Sequence, residues 1–545
     1  MLAKNQCFEM TCDAFGQDAQ GVCRHEGMAV FVPGLLPGER ALVRIVKPEK
    51  RYAFGRVEKL LEKSPSRAEP FCPIYKRGGC VCQHMTYEAS LAFKRQQVQD
   101  LLQRVGGLSI EVPPVWGMAH PFGYRNKGAY PVAQTDGAPA CGFFAPRSHD
   151  LVPLPENGCA IQGEDSAKAT QAVLNWMREN SVPAYDEQTG RGLVRHIMTR
   201  STTSGELMVV VVVTRADIPK ASRLIELLRA AVPGLCSVCL SVNSRRTNVI
   251  LGTDIRVLWG KAAMEDTLCG LRFSVSPLSF FQVNPLQTER LYGLALEYAG
   301  LTGTETVVDA YCGAGTISLL LAQKAKKVIG IEIVPEAIQN ANENAARNGV
   351  ANAEFHVGAT EELLPKLVEN GLRPDVIVLD PPRKGCDPAV LQAIIAAAPK
   401  RVVYVSCGAP TLARDAKLLA EGGYAAERVQ CVDMFCWTGA VETVMCFSKE
   451  TYPHRSVKVE FPLEGLSVAQ LQGSATYEQI KAYVLEHSGL KVSTLYIAQV
   501  KQKYGIIERE CYNKPKSEDA KQPQCPPNKE AAIVEALKFY GLIAP

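Results

Sequence analysis

Residues 306–334 read TVVDAYCGAGTISLLLAQKAKKVIGIEIV. A β-branched run ends at Asp309, Gly313 and Gly315 make a tight turn, an apolar helical stretch follows, and a second β-branched run ends at Glu332. Strand, glycine turn, helix, strand is the opening unit of a doubly wound α/β sheet. The pattern continues with a long Ala/Asn-rich helix, PDVIVLDPPR, another helix and RVVYVSC, so residues 271–449 are expected to form one mostly parallel sheet. Glycines let a backbone approach a ligand closely, and an acid at the end of the second strand can accept from ribose hydroxyls. The turn lacks a full G-x-G-x-x-G and has no basic group placed for a pyrophosphate. A ligand with a ribose and no phosphate, such as S-adenosylmethionine, fits better than a dinucleotide.

Outward from this unit the 545-residue chain is too long for one core. Residues 1–62 carry short β-rich runs broken by Pro-Gly and Gly, with Arg44, Lys47, Lys50, Arg51, Arg56 and Lys59 interleaved with Tyr52 and Phe54. That is either a nucleic-acid-binding barrel or a solvated basic face. Residues 63–270 read as a mixed α+β region opened by a linker and a cysteine-rich stretch, with a hairpin in RHIMTRSTTSGELMVVVVVTR. Residues 450–545 read as a small helical module with a capping box, Thr476 and Gln479, and a Gly489 stop. Either it binds RNA or it packs on the body.

Composition narrows the classes. Apolar residues make up 47% and charged residues 21%, as in a globular protein. The longest evident apolar run, Leu207 to Val213, is strand-sized, and no signal peptide pattern opens the chain. A cytosolic location with reduced thiols is expected, which makes the 19 cysteines metal, catalytic or buried candidates before disulfide candidates. A net charge of +4 neither requires nor excludes nucleic acid.

Chemistry concentrates at strand ends. Asp380-Pro381-Pro382-Arg383 ends one buried run, and Cys407 ends the next on the same sheet edge. A thiolate there could add to C6 of a uracil, push charge onto C5 and O4, and let C5 attack an electrophilic methyl. A base must then remove the C5 proton. Glu442, in DMFCWTGAVETVMCF, is the carboxylate chosen for that role.

The motifs FFQVNPLQTERLY, DAYCGAGT, IGIE, LDPPRKG, YVSC, TLARD and DMF-x-WT-x-x-VE stand in this order. They closely resemble those of the bacterial RNA uracil-5-methyltransferases, from an N-terminal module similar to a TRAM domain to about residue 449. The resemblance implies S-adenosylmethionine contacts from Gln282, Tyr311, Glu332 and Asp380. It implies Cys407 as nucleophile, Glu442 as base, Phe280 stacking on the target uracil and Arg125, in YRNK, holding the extruded RNA. It also implies RNA as partner, ribosomal 23S RNA ahead of transfer RNA. Two departures stand out. The usual S-C-N-P or S-C-D-P is Ser406-Cys407-Gly408-Ala409-Pro410, and the histidine two residues before the base is Ala440.

Longer members of that family hold a [4Fe-4S] cluster. Here Cys72, Cys80 and Cys159 align with its ligands, the second ligand's slot, just before Gly78-Gly79, is Arg77 or a one-residue deletion, and Cys82 could substitute. Zinc or a degraded site are the alternatives. The rival activities are RNA cytosine-5 methylation, disfavoured because Pro382 stands where a second cysteine is needed, and non-catalytic RNA binding.

Overall fold

The computed structural model describes residues 2–16, 19–145, 148–449, 477–504, 506, 524–540 and 542–543. The chain divides into two compact units, Met1–Thr451 and Tyr452–Pro545.

The N-terminal β-rich runs close on themselves. Strands β1 (Cys7–Phe15), β2 (Gln20–His25), β3 (Met28–Pro33), β4 (Arg40–Pro48) and β5 (Tyr52–Glu62) form a closed barrel in the order β1-β2-β3-β5-β4. Alternate positions, among them Cys23, Val30, Val32, Val43 and Ile45, fill its interior. Outside, the rings of Phe31, Tyr52 and Phe54 lie 5.6–5.9 Å apart beside the basic residues. The buried Glu39 carboxylate takes two bonds from Arg67, each 2.5 Å, and so ties the barrel to the following linker.

Helix α1 (Tyr87–Arg104) precedes a seven-stranded sheet. Its strands are β6 (Lys127–Thr135), β7 (Ala138–Phe144), β8 (Leu151–Pro153), β9 (Val194–Ser201), β10 (Leu207–Val213), β11 (Leu235–Val242) and β12 (Asp254–Gly260), in the order β12-β11-β10-β9-β6-β7-β8. Helices α2 (Glu164–Glu179) and α3 (Ala221–Ala231) pack against it. The expected hairpin is β9–β10, and β10, seven apolar residues long, is buried along its whole length. A short hairpin, β13 (Met264–Leu268) and β14 (Leu271–Val275), turns at Cys269 and Gly270, both at positive φ.

Beyond helix α4 (Pro285–Ala299) strands and helices alternate: β15 (Thr306–Asp309), α5 (Thr316–Ala322), β16 (Lys327–Glu332), α6 (Pro335–Arg347), β17 (Ala353–Val357), α7 (Thr360–Glu369), β18 (Val376–Leu379), α8 (Pro388–Ala397), β19 (Arg401–Ser406), α9 (Ala409–Glu421), β20 (Tyr424–Val432) and β21 (Glu442–Lys449). The sheet order is β17-β16-β15-β18-β19-β21-β20, with β15 to β19 parallel and β21 antiparallel between β19 and β20. This is the doubly wound sheet expected from sequence, with apolar layers on both faces. Two strands were not read there, and both are edges of the sheet: β17, AEFHV, and β20, YAAERVQCV, have no long continuous apolar run. The strand order reverses between β15 and β18, which opens a crevice at their carboxyl ends.

The second unit contains α10 (Tyr477–Ser488), α11 (Thr494–Lys503) and α12 (Pro527–Phe539) around Ile480, Val484, Ile497, Val500, Ile533 and Leu537. Gly489 ends α10 at φ +69°, while Thr476 of the expected capping box lies outside the described residues. Among the described residues no helix is long and apolar enough to cross a membrane.

Candidate active site

The crevice is walled by four strand ends. Asp309 closes β15 with its carboxyl buried; Oδ2 accepts from Ser318 Oγ at 2.6 Å and Oδ1 has no partner. Burial pushes this carboxyl up to about 6. Gly313 and Gly315 then turn at φ +54° and +82°, and Gly315 caps α5. Glu332, at the end of β16, holds that turn: Oε2 accepts from Gly313 N at 3.2 Å and Oε1 from Val334 N at 2.9 Å. Each oxygen keeps a lone pair for a ligand hydroxyl.

The loop after β18 and the loop after β19 are locked together. Buried Asp415, on α9, accepts from Cys386 N at 2.8 Å, from Tyr404 OH at 2.7 Å and from Arg414 Nε at 2.7 Å. Thr411 Oγ1 donates to Gly408 O at 2.9 Å and lies 3.3 Å from Arg383 O. The missing side chain after Cys407 is accounted for here. A Cβ on Gly408 would come within 2.9 Å of Thr411 Oγ1, so the threonine hydroxyl occupies the space beside Cys407.

Phe280, Gln282 and Tyr311 line one side of a single cavity of about 920 Å³, and Glu332, Asp380, Cys407 and Glu442 line the rest. Phe280 is 76% exposed, a ring presented to the cavity with almost nothing packed on it. Glu442 is the first residue of β21 and only 4% exposed. Burial first and then Asp380 push its carboxyl up to about 8, against the pull of Arg383. Burial and Asp309 raise Asp380 to about 7. Burial, Glu442 and Asp380 raise the half-buried Cys407 thiol to about 11, again opposed by Arg383. A half-buried thiol, a buried carboxyl and an exposed ring thus share one pocket, with Arg383 as the counter-charge to both titrating groups.

The wall leading into Glu442 hangs on a buried polar network. Asp433 and Lys94, both fully buried, meet at 2.5 Å, and Lys94 Nζ also donates to Phe435 O at 3.0 Å. Tyr87 OH donates to the other Asp433 oxygen at 2.7 Å. Gln287 Nε2 donates to Asp433 O at 3.2 Å, and Asn284 Nδ2 to Met434 O at 3.1 Å. Sequence reading assigned no role to Lys94, Tyr87 or Arg383. Lys94 gave no signal, being one lysine in a polar helix, 339 residues from its partner. Arg383 could have been found from its place in the D-P-P-R turn.

Arg125 does not enter this cavity; it lines a second one of about 280 Å³ with Asn126, Gln162 and the first turn of α2. The cysteine site departs further from expectation. Cys72, Cys80 and Cys159 lie close enough to act on one another electrostatically, and burial pushes the Cys80 thiol up to about 11. Cys82, placed in the fourth position by sequence, instead packs with Leu36, Met85 and Phe93 and donates to Thr438 O at 3.4 Å. Among the described residues no group of three or more His, Cys, Asp or Glu is arranged to hold a metal ion. The residues present therefore do not fit a four-cysteine iron–sulfur cluster.

Comparison with known proteins follows the same outline. A profile described as TRAM domain matches residues 6–57, and one described as methyltransferase domain matches residues 301–445. An uncharacterised RNA methyltransferase of Halalkalibacterium halodurans is 47% identical over 444 residues, 81% of this chain and 96% of that protein. One from Listeria innocua is 46% identical over 446 residues, 82% of this chain and 98% of that protein. Among solved structures, the Pyrococcus abyssi tRNA (uracil-54, C5)-methyltransferase in complex with S-adenosyl-L-homocysteine superposes with a TM-score of 0.66 at 26% identity, covering 81% of this chain and all of that one. With a barrel matching the TRAM profile, a methyltransferase sheet and relatives this similar over nearly their full length, the chain belongs to this family of RNA methyltransferases.

Proposed function

We propose that the protein methylates C5 of a uridine in RNA, ribosomal RNA ahead of transfer RNA, with S-adenosylmethionine as donor. The observation that carries the reading is that Cys407 and Glu442 open onto the same cavity as the Asp309–Gly315 turn and Glu332. Glu332 supplies acceptors for a donor with free hydroxyl groups, and Gln282, Tyr311 and Asp380 complete its pocket. The donor supplies one thing, an electrophilic methyl on a sulfonium.

The chain's own residues do the rest. Phe280 stacks on the extruded uracil. Cys407, as thiolate, bonds to C6, and the electron pair moves onto C5 and O4 as an enolate. Arg383 favours both the thiolate and the anion that replaces it. After C5 has gained its methyl, Glu442 takes the C5 proton, the C5–C6 double bond re-forms and the Cys407–C6 bond breaks. Glu442 must be ionised to do this. A cationic ligand beside Asp380 and Glu442 lowers both carboxyls and readies the base only in the loaded site.

Ribosomal RNA is supported only by the resemblance to the longer, TRAM-containing branch of the family, and length does not set transfer RNA aside, because the tRNA-named Pyrococcus neighbour covers 81% of this chain. The transfer RNA reading is favoured by the Pyrococcus neighbour, which is named for tRNA. Incubation of unmodified 23S ribosomal RNA and unmodified transfer RNA with methyl-labelled donor, followed by nucleoside analysis, separates them. Label in 5-methyluridine from ribosomal RNA is expected. Label only in transfer RNA moves the substrate, and label on cytidine or on another uridine atom overturns the reaction.

A further inference from the structure

The loop between β20 and β21 bends where its own sequence does not favour a bend. Glu442 opens β21 opposite Val432, the last residue of β20, so residues 433–441 close a loop, and its Phe435 and Ala440 line the cavity with Glu442. Between those two, a four-residue turn from Phe435 to Thr438 closes with Thr438 N donating to Phe435 O at 3.2 Å. Trp437, the third residue of the turn, stands at φ +67°. Among the described residues it is the one aromatic residue at positive φ. A turn with positive φ at its third residue ordinarily has glycine there and favours proline before it, because the left-handed region crowds a Cβ. Cys436 and Trp437 occupy those two places.

The surroundings hold the bend instead. Trp437 O accepts from Val81 N and Cys82 N, both at 3.0 Å, and Trp437 Nε1 donates to Pro121 O at 2.8 Å. The indole is buried, with its ring 5.1 Å from Phe71, 5.3 Å from Tyr87 and 5.6 Å from Phe122. Buried Cys436 presents its carbonyl to Tyr124 OH at 3.1 Å. On the other side of the turn, Thr438 Oγ1 donates to Phe435 O at 2.8 Å and accepts from Ala440 N at 3.2 Å, which joins the two residues that line the cavity. A bulky side chain stays in such a conformation only where packing over-determines it, and outliers of this kind gather at active sites. Strand pairing fixes the backbone of Glu442, but it does not fix the loop wall beside the side chain. Trp437 does not itself line the cavity, so it acts through that wall.

We propose that Trp437 is a positioning residue for Glu442: anchored among the aromatic rings, it holds the bend that keeps the Phe435–Ala440 wall beside the carboxyl. The proposal rests on Glu442 being the base of the reaction described above.

Trp437→Gly in the full chain tests it, with S-adenosylmethionine and substrate RNA. The change supplies the residue that the turn prefers and removes the anchor. At a temperature where the variant is folded, kcat should fall roughly a hundredfold, as for a group misplaced by about 1 Å. The KM values for RNA and donor should change little, because binding is not what the wall supplies. Proton removal follows methyl transfer, so a covalent protein–RNA band should accumulate on a denaturing gel, as for Glu442→Gln. Hydrogen exchange should quicken at Val81, Cys82, Thr438 and Ala440, while Thr443–Phe447 of β21 keep their protection. Wild-type kcat overturns the proposal. So does a kcat that falls only with the folded fraction and leaves no band, which marks a structural role. If Trp437→Gly does not fold, Phe71→Ala combined with Phe122→Ala decides in its place, since both rings are exposed and flank the indole. A lowered kcat with the covalent band is expected there too, and wild-type turnover without a band overturns the proposal. A band from Glu442→Gln but none from folded Trp437→Gly sinks this inference alone. A band from neither sinks the proposed reaction, and this inference with it.

Discussion

The rim of the doubly wound sheet and the cysteine-rich segment before α1 were marked in the sequence by equally dense runs of chemistry-bearing residues. The structure treats them differently. At the rim, Glu332, Asp380 and Cys407, from the carboxyl ends of three parallel strands, and Glu442, from the start of β21, converge on one cavity. Of the cysteines placed together by sequence, Cys72 and Cys80 of that segment approach the distant Cys159, and Cys82 turns away into the apolar cluster with Met85 and Phe93. A parallel sheet aligns its carboxyl ends whatever the loops do, so a motif at a strand end has its direction fixed by topology. A motif in an irregular loop has no such scaffold, and each side chain's direction is set by local packing.

The largest effect that bears on this contrast is predicted at the buried ion pair behind the rim. Lys94→Met leaves Asp433 desolvated and unpaired, a loss of roughly 3–5 kcal/mol in stability. Thermal and urea unfolding should show it, together with impaired turnover, because Phe435 O loses its Lys94 donor in the same step. A variant as stable and active as the wild type would mean that the rim does not depend on this support.

Next comes charge at the rim. Glu442 is raised from 4.5 to about 8 and Asp380 from 3.8 to about 7, so the folded ligand-free protein binds more protons than the unfolded chain between those values. Its stability should therefore fall as pH rises from about 4 to about 8, the reverse of an acid paired with a cation. Glu442→Gln should flatten the upper part of that fall. In kinetics, activity should rise with pH as Glu442 ionises. Arg383→Gln, which removes the cation lowering both Glu442 and Cys407, should move that rise to higher pH. Unshifted profiles of kcat/KM would remove Arg383 from the site.

The smallest effects separate the cysteines. Cys82→Ser puts a hydroxyl into an apolar cluster and should cost about 1–3 kcal/mol. Cys72→Ser, half-exposed, should stay within about 0.5 kcal/mol. Equal and large losses at both positions, with iron or zinc found in the purified protein, would restore the metal site that the geometry does not fit.

What the sequence made legible follows the same division. The alternation of β-branched runs and helical periods was strong enough to read the sheet and the acids at its strand ends, and Cys407 falls one residue beyond Ser406 as expected. Glu442 was legible as a carboxylate in an apolar strand, but not that it would be buried. Strands β17 and β20 were missed because an edge strand needs no long apolar run. The Lys94–Asp433 pair was beyond reach, since neither residue carries a local sign of a partner 339 positions away. The direction of Cys82 was equally hidden, because spacing says nothing of the side on which a loop thiol leaves.

The central claim is that Cys407 bonds transiently to the pyrimidine ring and that Glu442 is needed for its release. Glu442→Gln, incubated with substrate RNA and S-adenosylmethionine, tests this most directly on a denaturing gel. The account predicts a slowly migrating protein–RNA band that is lost when Cys407→Ala is added to the same variant. No such band from folded, RNA-binding Glu442→Gln protein, or a band that persists without Cys407, would contradict it.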